Sequence, residues 1–203
     1  ARYVKVRDPR KFAGPPPVDL AWVEESVGPY VVYGDRPVLV LKDPVSVFWT
    51  APLADHFKRR VRFLVLVREP YCYSQVVKRR YFDNWLSERK GYEGAGRMVS
   101  SILMLAVQAS VWPQSLLLRY EDFAENPKKT FSEIEQWFPE IGTAKADPSS
   151  VMISVHKKLS KIANMNQNYL KLLTNDTRAI LTKIFLPMNS TFARLGYPID
   201  TGP

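Results

Sequence analysis

Arg68 and Ser74 are the two side chains of this sequence best placed to do chemistry together. Arg68 follows five apolar residues, Phe63 to Val67, and Pro70 stands two positions after it. An apolar run this short predicts a strand buried on both faces, as in a parallel sheet. Ser74 then falls near the start of a predicted helix that follows. In an open α/β sheet, a strand end and the next helix start meet at the crevice where ligands bind.

A phosphate is the ligand that suits this pair of side chains. A guanidinium binds phosphate through charge-assisted hydrogen bonds, and the backbone N–H groups at a helix N-terminus also favour an anion. The hydroxyl of Ser74 adds a further donor. The residues alone therefore predict an anion site at Arg68 and Ser74.

Composition narrows the class of protein. The chain has 203 residues, 46% of them hydrophobic, which suits one domain with a sizeable core. No apolar run is long enough to span a bilayer. The single cysteine, Cys72, gives neither an internal disulfide nor a metal-ligand cluster, so no metal is predicted.

Positive charge points to a polyanionic partner. The net charge is +9, and ten Lys or Arg residues stand between Phe57 and Lys90 against three acids. Such a concentration suits nucleotide phosphates, an anionic glycan, nucleic acid or a membrane surface, or is simply a solvated face. Nucleic acid is not predicted as the partner, because no motif that reads bases accompanies the charge.

The apolar runs predict an α/β fold. Strands are expected at 38–41, 63–67 and 115–118, and helices at 45–60, 73–88, 97–111, 127–138 and 174–185. Strand, helix and strand from Val38 to Val67 form a βαβ unit, which implies parallel strands. Lys90 to Gly96, with three glycines, is predicted to be a flexible loop. One domain over 1–203 is expected: a loop-rich connection (1–37), a parallel-sheet core (38–138) and a C-terminal basic loop and helix (139–203).

Three motifs in this order resemble those of the sulfotransferases that use 3'-phosphoadenosine-5'-phosphosulfate (PAPS). They are Lys42-Asp43-Pro44 after the first strand, the strand-Arg68-x-Pro70-Ser74 segment, and Arg119-Tyr120-Glu121-Asp122 after the third strand. The basic run from Val155 to Lys161 and the ending after it are similar to those of carbohydrate (heparan-type) sulfotransferases. The resemblance covers residues 38–197.

This resemblance implies a three-layer α/β fold of the P-loop-kinase-like sulfotransferase type. It implies that Arg68 and Ser74 bind the 3'-phosphate of PAPS and of its product, PAP. Lys42 would lie at the transferring sulfuryl group, and Asp43 is either a general base or a helix cap. Lys157, Lys158 and Lys161 are candidates for the donor's 3'-phosphate end, with Lys158 and Lys161 favoured. Arg119, Tyr120 and Glu121 are expected to link the strand end to neighbouring loops.

The chain departs from the family pattern at its beginning. Sulfotransferases also need an N-terminal strand, a Gly-rich loop for the 5'-phosphosulfate and a helix. Gly14 followed by three prolines cannot supply the N–H groups of such a loop. The phosphosulfate-loop segment is therefore expected to be missing from this chain, disordered or supplied by another chain.

The sequence thus favours an enzyme that transfers a sulfuryl group from PAPS to a hydroxyl or amine of a carbohydrate, with an anionic glycan as a fitting acceptor. The alternative is a non-catalytic, sulfotransferase-like module that binds polyanionic glycans. A nucleotide kinase is disfavoured, because no Gly-Lys-Ser/Thr motif is present. The compartment stays open between the Golgi lumen and the cytoplasm.

Overall fold

The computed structural model describes residues 50–84, 87–139, 152–155 and 158–199. Its elements in chain order are α1 (Thr50–Phe57), β1 (Phe63–Val67), α2 (Pro70–Tyr81), α3 (Glu88–Ser110), β2 (Ser115–Arg119), α4 (Tyr120–Glu125), α5 (Pro127–Trp137), β3 (Met152–Val155), β4 (Lys158–Lys161), α6 (Asn166–Leu170), α7 (Asn175–Phe185) and α8 (Asn189–Arg194). Short 3-10 helices follow α1 at Lys58–Arg60 and α7 at Leu186–Met188.

A parallel pair of strands confirms the α/β prediction at a coarse level. Strand β1 pairs with β2 in parallel, in a register that sets Val67 opposite Arg119. Both strands therefore end at the same edge of the pair. A second pair, β3 with β4, is antiparallel. The strand predicted at 38–41 lies outside the described residues.

The prediction that β1 is buried on both faces is wrong for the described structure. Val65 and Val67 lie in the core together with α3 residues such as Val99 and Leu103. The alternate residues Leu64 and Leu66 are 46% and 56% exposed. Successive side chains of a strand point to opposite faces, so the described elements bury one face of β1 and leave the other open.

Helix α3 runs through the centre of the core. Its buried residues pack against β1, α2, α7 and α8. Phe185 of α7 sits between two aromatic rings, at 5.3 Å from Tyr71 and 5.2 Å from Phe192 between ring centroids. Among the described helices, none has both the length and the apolar character that crossing a bilayer requires, α3 with its 23 residues included.

Helix α2 begins at Pro70, three residues earlier than Tyr73, where the sequence predicted its start. Proline suits the first helical position because its missing N–H needs no partner there. The side chain of Glu69 caps the helix by accepting a hydrogen bond of 2.6 Å from the backbone N–H of Cys72. Because the helix begins at Pro70, Ser74 lies in its second turn. The helix ends at Tyr81, seven residues before Glu88, where the sequence predicted its end.

The flexible loop predicted over Lys90 to Gly96 is also wrong, because these residues belong to α3. Ser87 caps this helix by accepting a hydrogen bond from the backbone N–H of Lys90. Gly94 and Gly96 of α3 allow neighbouring side chains to pack closely against the helix backbone. A Cβ on Gly94 would lie 2.9 Å from the Phe82 ring, and one on Gly96 would lie 2.9 Å from Leu181 Cδ2. The absence of side chains lets neighbouring segments approach the helix backbone.

Two connections differ from the prediction. Helix α4 follows β2 at once, where a short loop was expected before Pro127. The expected basic loop from Val155 to Lys161 contains strand β4, paired with β3, because its residues hydrogen-bond in an antiparallel ladder. The helices predicted at 127–138 and 174–185 are confirmed as α5 and α7, and the described part of 45–60 is helical over Thr50–Phe57.

Candidate anion-binding site

Arg68 follows the last residue of β1, at the edge where both parallel strands end. Its neighbours come from two other parts of the chain: Tyr120 opens α4 directly after β2, and Asn166 and Tyr169 belong to α6. The guanidinium of Arg68 therefore lies at the C-terminal edge of the strand pair, which is where open α/β sheets bind ligands.

The guanidinium of Arg68 is held by one hydrogen bond and two rings. Its Nε donates to Asn166 Oδ1 at 2.8 Å. Its central carbon lies 4.2 Å from the ring centroid of Tyr120 and 4.9 Å from that of Tyr169. Both distances fall in the range of cation–π attraction. Arg68 is thus fixed without a carboxylate partner among the described residues.

One terminal nitrogen of Arg68, Nη2, is buried and has no hydrogen-bond partner among the described residues. The hydroxyl of Ser74, a residue with 0% exposure, is also buried without a hydrogen-bond partner among the described residues. A buried donor without a partner costs about 1–3 kcal/mol, and more when it is charged. Such groups in a native fold call for an explanation, and a bound anion or an ordered water is a common one.

Glu121 is the acceptor that joins the site to the rest of the fold. Its Oε1 accepts from the backbone N–H of Glu69 at 3.0 Å and from Asn166 Nδ2 at 2.5 Å. Its Oε2 accepts from the hydroxyl of Tyr197. Burial works to raise the pKa of the Glu121 carboxyl, but the hydrogen bonds from Tyr197, Glu69 and Asn166 outweigh it and lower that pKa.

Tyr120 adds a second link between β2 and the segment before α6. Its hydroxyl donates to the carbonyl of Ala163 at 3.0 Å and accepts from the backbone N–H of Met165 at 3.2 Å. The guanidinium of Arg119 lies 4.7 Å from the ring centroid of Tyr197. The predicted architectural role of Arg119, Tyr120 and Glu121 agrees with these contacts, although Tyr120 also touches Arg68.

The remaining predicted site residues are not joined to Arg68 by any described contact. Lys42 and Asp43 lie outside the described residues. Lys158 and Lys161 are the first and last residues of β4, opposite Val155 and Met152, and their side chains are likewise outside the description. Ser74 shares helix α2 with Cys72, whose thiol donates to the carbonyl of Asn166 at 3.4 Å.

Asn166 and Tyr169 are the residues that sequence reasoning missed. Both stand in the Asn-rich stretch after the basic run, where Asn164, Asn166 and Asn168 alternate with other residues. That alternation was visible, but asparagine is also common in turns. No pattern in the sequence says that Asn166 reaches Arg68.

Within the described residues, no group of His, Cys, Asp and Glu side chains is arranged to hold a metal ion. The described groups around Arg68 are the amide of Asn166, the rings of Tyr120 and Tyr169, and, beyond the amide, the Glu121 carboxylate, which already accepts from three donors. Such a site can bind an anionic oxygen, because the nearby carboxylate of Glu121 accepts hydrogen bonds from Glu69, Asn166 and Tyr197 and not from Arg68 Nη2.

Comparison of the chain with protein-family models, with curated proteins and with solved structures found no match.

Proposed function

We propose that this protein is a PAPS-dependent sulfotransferase that transfers a sulfuryl group to a hydroxyl or an amine of a carbohydrate. The observation that carries the proposal is the buried Nη2 of Arg68, which has no partner among the described residues and lies at the C-terminal edge of a parallel strand. The proposal includes the three-layer, P-loop-kinase-like arrangement of the sulfotransferase fold; its support is one parallel strand pair, β1 with β2, that packs against helix α3.

The residues around Arg68 fit the 3'-phosphate of PAPS. A phosphate oxygen would satisfy Nη2, and the Ser74 hydroxyl offers a second buried donor. The Nε of Arg68 is bonded to a neutral amide, so the positive charge of the guanidinium is left for the ligand. Charge-assisted hydrogen bonds from Arg to phosphate are roughly twice as strong as neutral ones.

Bound PAPS supplies the sulfuryl group, whose bond to the phosphate oxygen breaks as sulfur bonds to the acceptor oxygen or nitrogen and the acceptor loses its proton. In the proposed assignment Arg68 and Ser74 anchor the 3'-phosphate, and Lys158 and Lys161 add positive charge at that end of the donor. Lys42 stabilises negative charge on the leaving oxygen. Asp43 accepts the acceptor's proton.

An anionic glycan suits a basic surface at the C-terminal end of α2, the end of that helix away from Arg68. Arg79 and Arg80 lie in the last turn of α2, and Arg89 and Lys90 in the first turn of α3, and all four are exposed. These two helices pack against each other. The exposed cations equally favour the second candidate function, a non-catalytic module that binds sulfated glycans and ignores the nucleotide.

Binding of PAP, measured by thermal unfolding, tests the proposal. At a hundredfold excess over its dissociation constant, PAP adds about 2.7 kcal/mol of stability, a rise in melting temperature of about 5–10 °C for a chain of this size. Arg68→Ala should abolish the rise. Arg79→Ala removes one positive charge from an exposed site and should keep it.

The absence of any shift with millimolar PAP in the wild-type chain would contradict the sulfotransferase proposal. The response to PAP separates the two candidates, because both would bind heparin. A glycan-binding module would bind heparin in a salt-sensitive way, lose affinity in Arg79→Ala, and show no response to PAP.

A further inference from the structure

The amide of Asn166 lies between Arg68 and Glu121 and contacts both. Its Oδ1 accepts from Arg68 Nε at 2.8 Å, and its Nδ2 donates to Glu121 Oε1 at 2.5 Å. Only one orientation of the amide satisfies both neighbours. Turning it over would set its oxygen against the carboxylate and its NH2 against an N–H of the guanidinium. The carboxylate of Glu121 therefore determines which atom of Asn166 faces Arg68.

Asn166 is itself held in place. It is only 6% exposed. Its backbone N–H donates to Asn164 Oδ1 at 3.0 Å, and its carbonyl accepts from the Cys72 thiol at 3.4 Å. The residue is thus fixed from the α6 side and from α2.

This arrangement leaves a defined part of Arg68 for a ligand. Asn166 occupies Nε, and Tyr120 and Tyr169 lie against the guanidinium. Nη2 is the buried nitrogen that remains unpartnered among the described residues. Because an amide is neutral, it orients the guanidinium without neutralising it. A carboxylate at position 166 would orient Arg68 equally well, but would cancel its charge and stand beside Glu121.

We propose that Asn166 is the positioning residue of the anion site. It holds Arg68 so that Nη2 faces the 3'-phosphate, and it thereby gives the site its preference for PAP over the same nucleotide without that phosphate. This inference rests on the proposed function, but it makes a separate claim about a residue that no sulfotransferase motif in the sequence includes.

The test compares the dissociation constants of PAP and of adenosine 5'-monophosphate by calorimetry. The wild-type chain should prefer PAP by about tenfold or more, the gain expected from charge-assisted hydrogen bonds to one phosphate. Asn166→Ala should weaken PAP binding about tenfold and leave the monophosphate within about twofold. Asn166→Asp, which keeps the shape but adds a negative charge, should remove the preference altogether.

Asn168→Ala is the matched control. Asn168 is an exposed asparagine of the same short helix, and its side chain contacts Met165 and no residue of the anion site in the described structure. It should bind both nucleotides as the wild type does. If the wild type binds neither nucleotide, the proposed function fails. If the wild type prefers PAP and Asn166→Ala or Asn166→Asp keeps the full preference, only the role of Asn166 is overturned.

An equal loss of both nucleotides in a folded variant would mean that Asn166 is merely structural, and would also overturn the inference. If both variants fail to fold, NMR of the arginine Nε–H groups in the wild type tests whether Arg68 Nε is hydrogen-bonded to Asn166. The Arg68 signal, assigned from its absence in Arg68→Lys, should exchange slowly with water before and after PAP is added. Fast exchange in the free chain would contradict the hydrogen bond to Asn166 on which the inference stands.

Discussion

The hydroxyl of Tyr197 donates a hydrogen bond to Glu121, 76 positions earlier in the chain. Glu121 follows β2, and its other oxygen accepts from the backbone N–H of Glu69, which follows β1. One carboxylate therefore ties the segment after α8 to the ends of both parallel strands. Burial, and then the bond to Glu121, raise the pKa of the Tyr197 phenol, so this hydroxyl stays protonated and able to donate across the physiological range.

Replacing Glu121 should change how stability depends on pH. The pKa of Glu121 is lowered in the folded chain from its usual value of 4.5. A group with a lowered folded pKa stabilises the fold above its unfolded pKa, and that stability is lost as the pH falls through the folded value. We expect Glu121→Gln to lower the free energy of unfolding at neutral pH by about 1–2 kcal/mol and to reduce its acid dependence below about pH 5.

Urea unfolding measured over a pH series checks this expectation. Glu125→Gln is the control, because Glu125 is an exposed carboxylate of the same helix, α4. It should leave the acid dependence close to that of the wild type. An unchanged pH profile in Glu121→Gln would show that the three hydrogen bonds do not stabilise the charged form.

Ser74→Ala should separate stability from ligand binding. The Ser74 hydroxyl is buried without a partner among the described residues, so its removal should leave the free energy of unfolding unchanged or raise it by up to about 1 kcal/mol. If the hydroxyl contacts the 3'-phosphate, the same change should weaken PAP binding about tenfold. Thermal unfolding without ligand and calorimetry with PAP measure the two effects.

Ser100→Ala provides the comparison for Ser74. Ser100 lies on α3, and its hydroxyl is also buried without a described partner. This variant should match the stability of Ser74→Ala but bind PAP as the wild type does. Equal PAP affinity in both variants would remove Ser74 from the anion site.

Gly96→Val should separate α3 from α7. A Cβ at this position would already lie 2.9 Å from Leu181 Cδ2 and 3.0 Å from Ile184 Cδ1, and two further methyl groups would force the helices apart. Overpacking of this kind costs about 1–3 kcal/mol. Chemical denaturation should detect the loss, and Arg97→Val, at the adjacent exposed position, accounts for the helix propensity of valine. Similar stability of the two variants would contradict the tight contact.

Cys72 should not react with a disulfide-exchange reagent while the chain is folded. Its thiol is completely buried, and burial, followed by the charge of Glu69, raises its pKa. Since the thiolate is the reactive form, labelling at about pH 8 should proceed only as fast as the chain opens. The chain in denaturant, and a Cys72→Ser variant as the blank, calibrate the signal. Rapid labelling of the folded chain would contradict the described burial.

Sequence reasoning succeeded where local pattern determines structure. The apolar run Phe63 to Val67 and the proline after Arg68 were enough to predict β1, the following helix and the position of Arg68 at the strand end. The same reasoning failed at the glycines of α3. Gly94 and Gly96 look like loop residues in the sequence, but their role depends on Phe82 and Leu181, which no local window includes.

The surroundings of Arg68 could not be predicted for a related reason. Asn166 lies 98 positions after Arg68, and Glu121 gives the amide its orientation from a third place in the chain. Tyr120 was expected to be architectural, but its ring also lies against the guanidinium. Local patterns locate a charged residue, whereas tertiary packing decides what holds it and which of its nitrogens is left for a ligand.

The wide spacing of the partners around Arg68 has a consequence for the order in which the chain folds. Bonds between residues separated by 98, 76 and 45 positions close long loops, and long loop closures form slowly because their entropy is lost before contacts compensate it. In a partly folded chain that has formed only β1 and α2, the hydrogen bond from Arg68 Nε to Asn166 Oδ1 has not yet formed, and the guanidinium is not oriented. If the proposed function holds, PAP binding should develop only when the native state forms, and a refolding experiment that follows PAP binding should show it as a late phase.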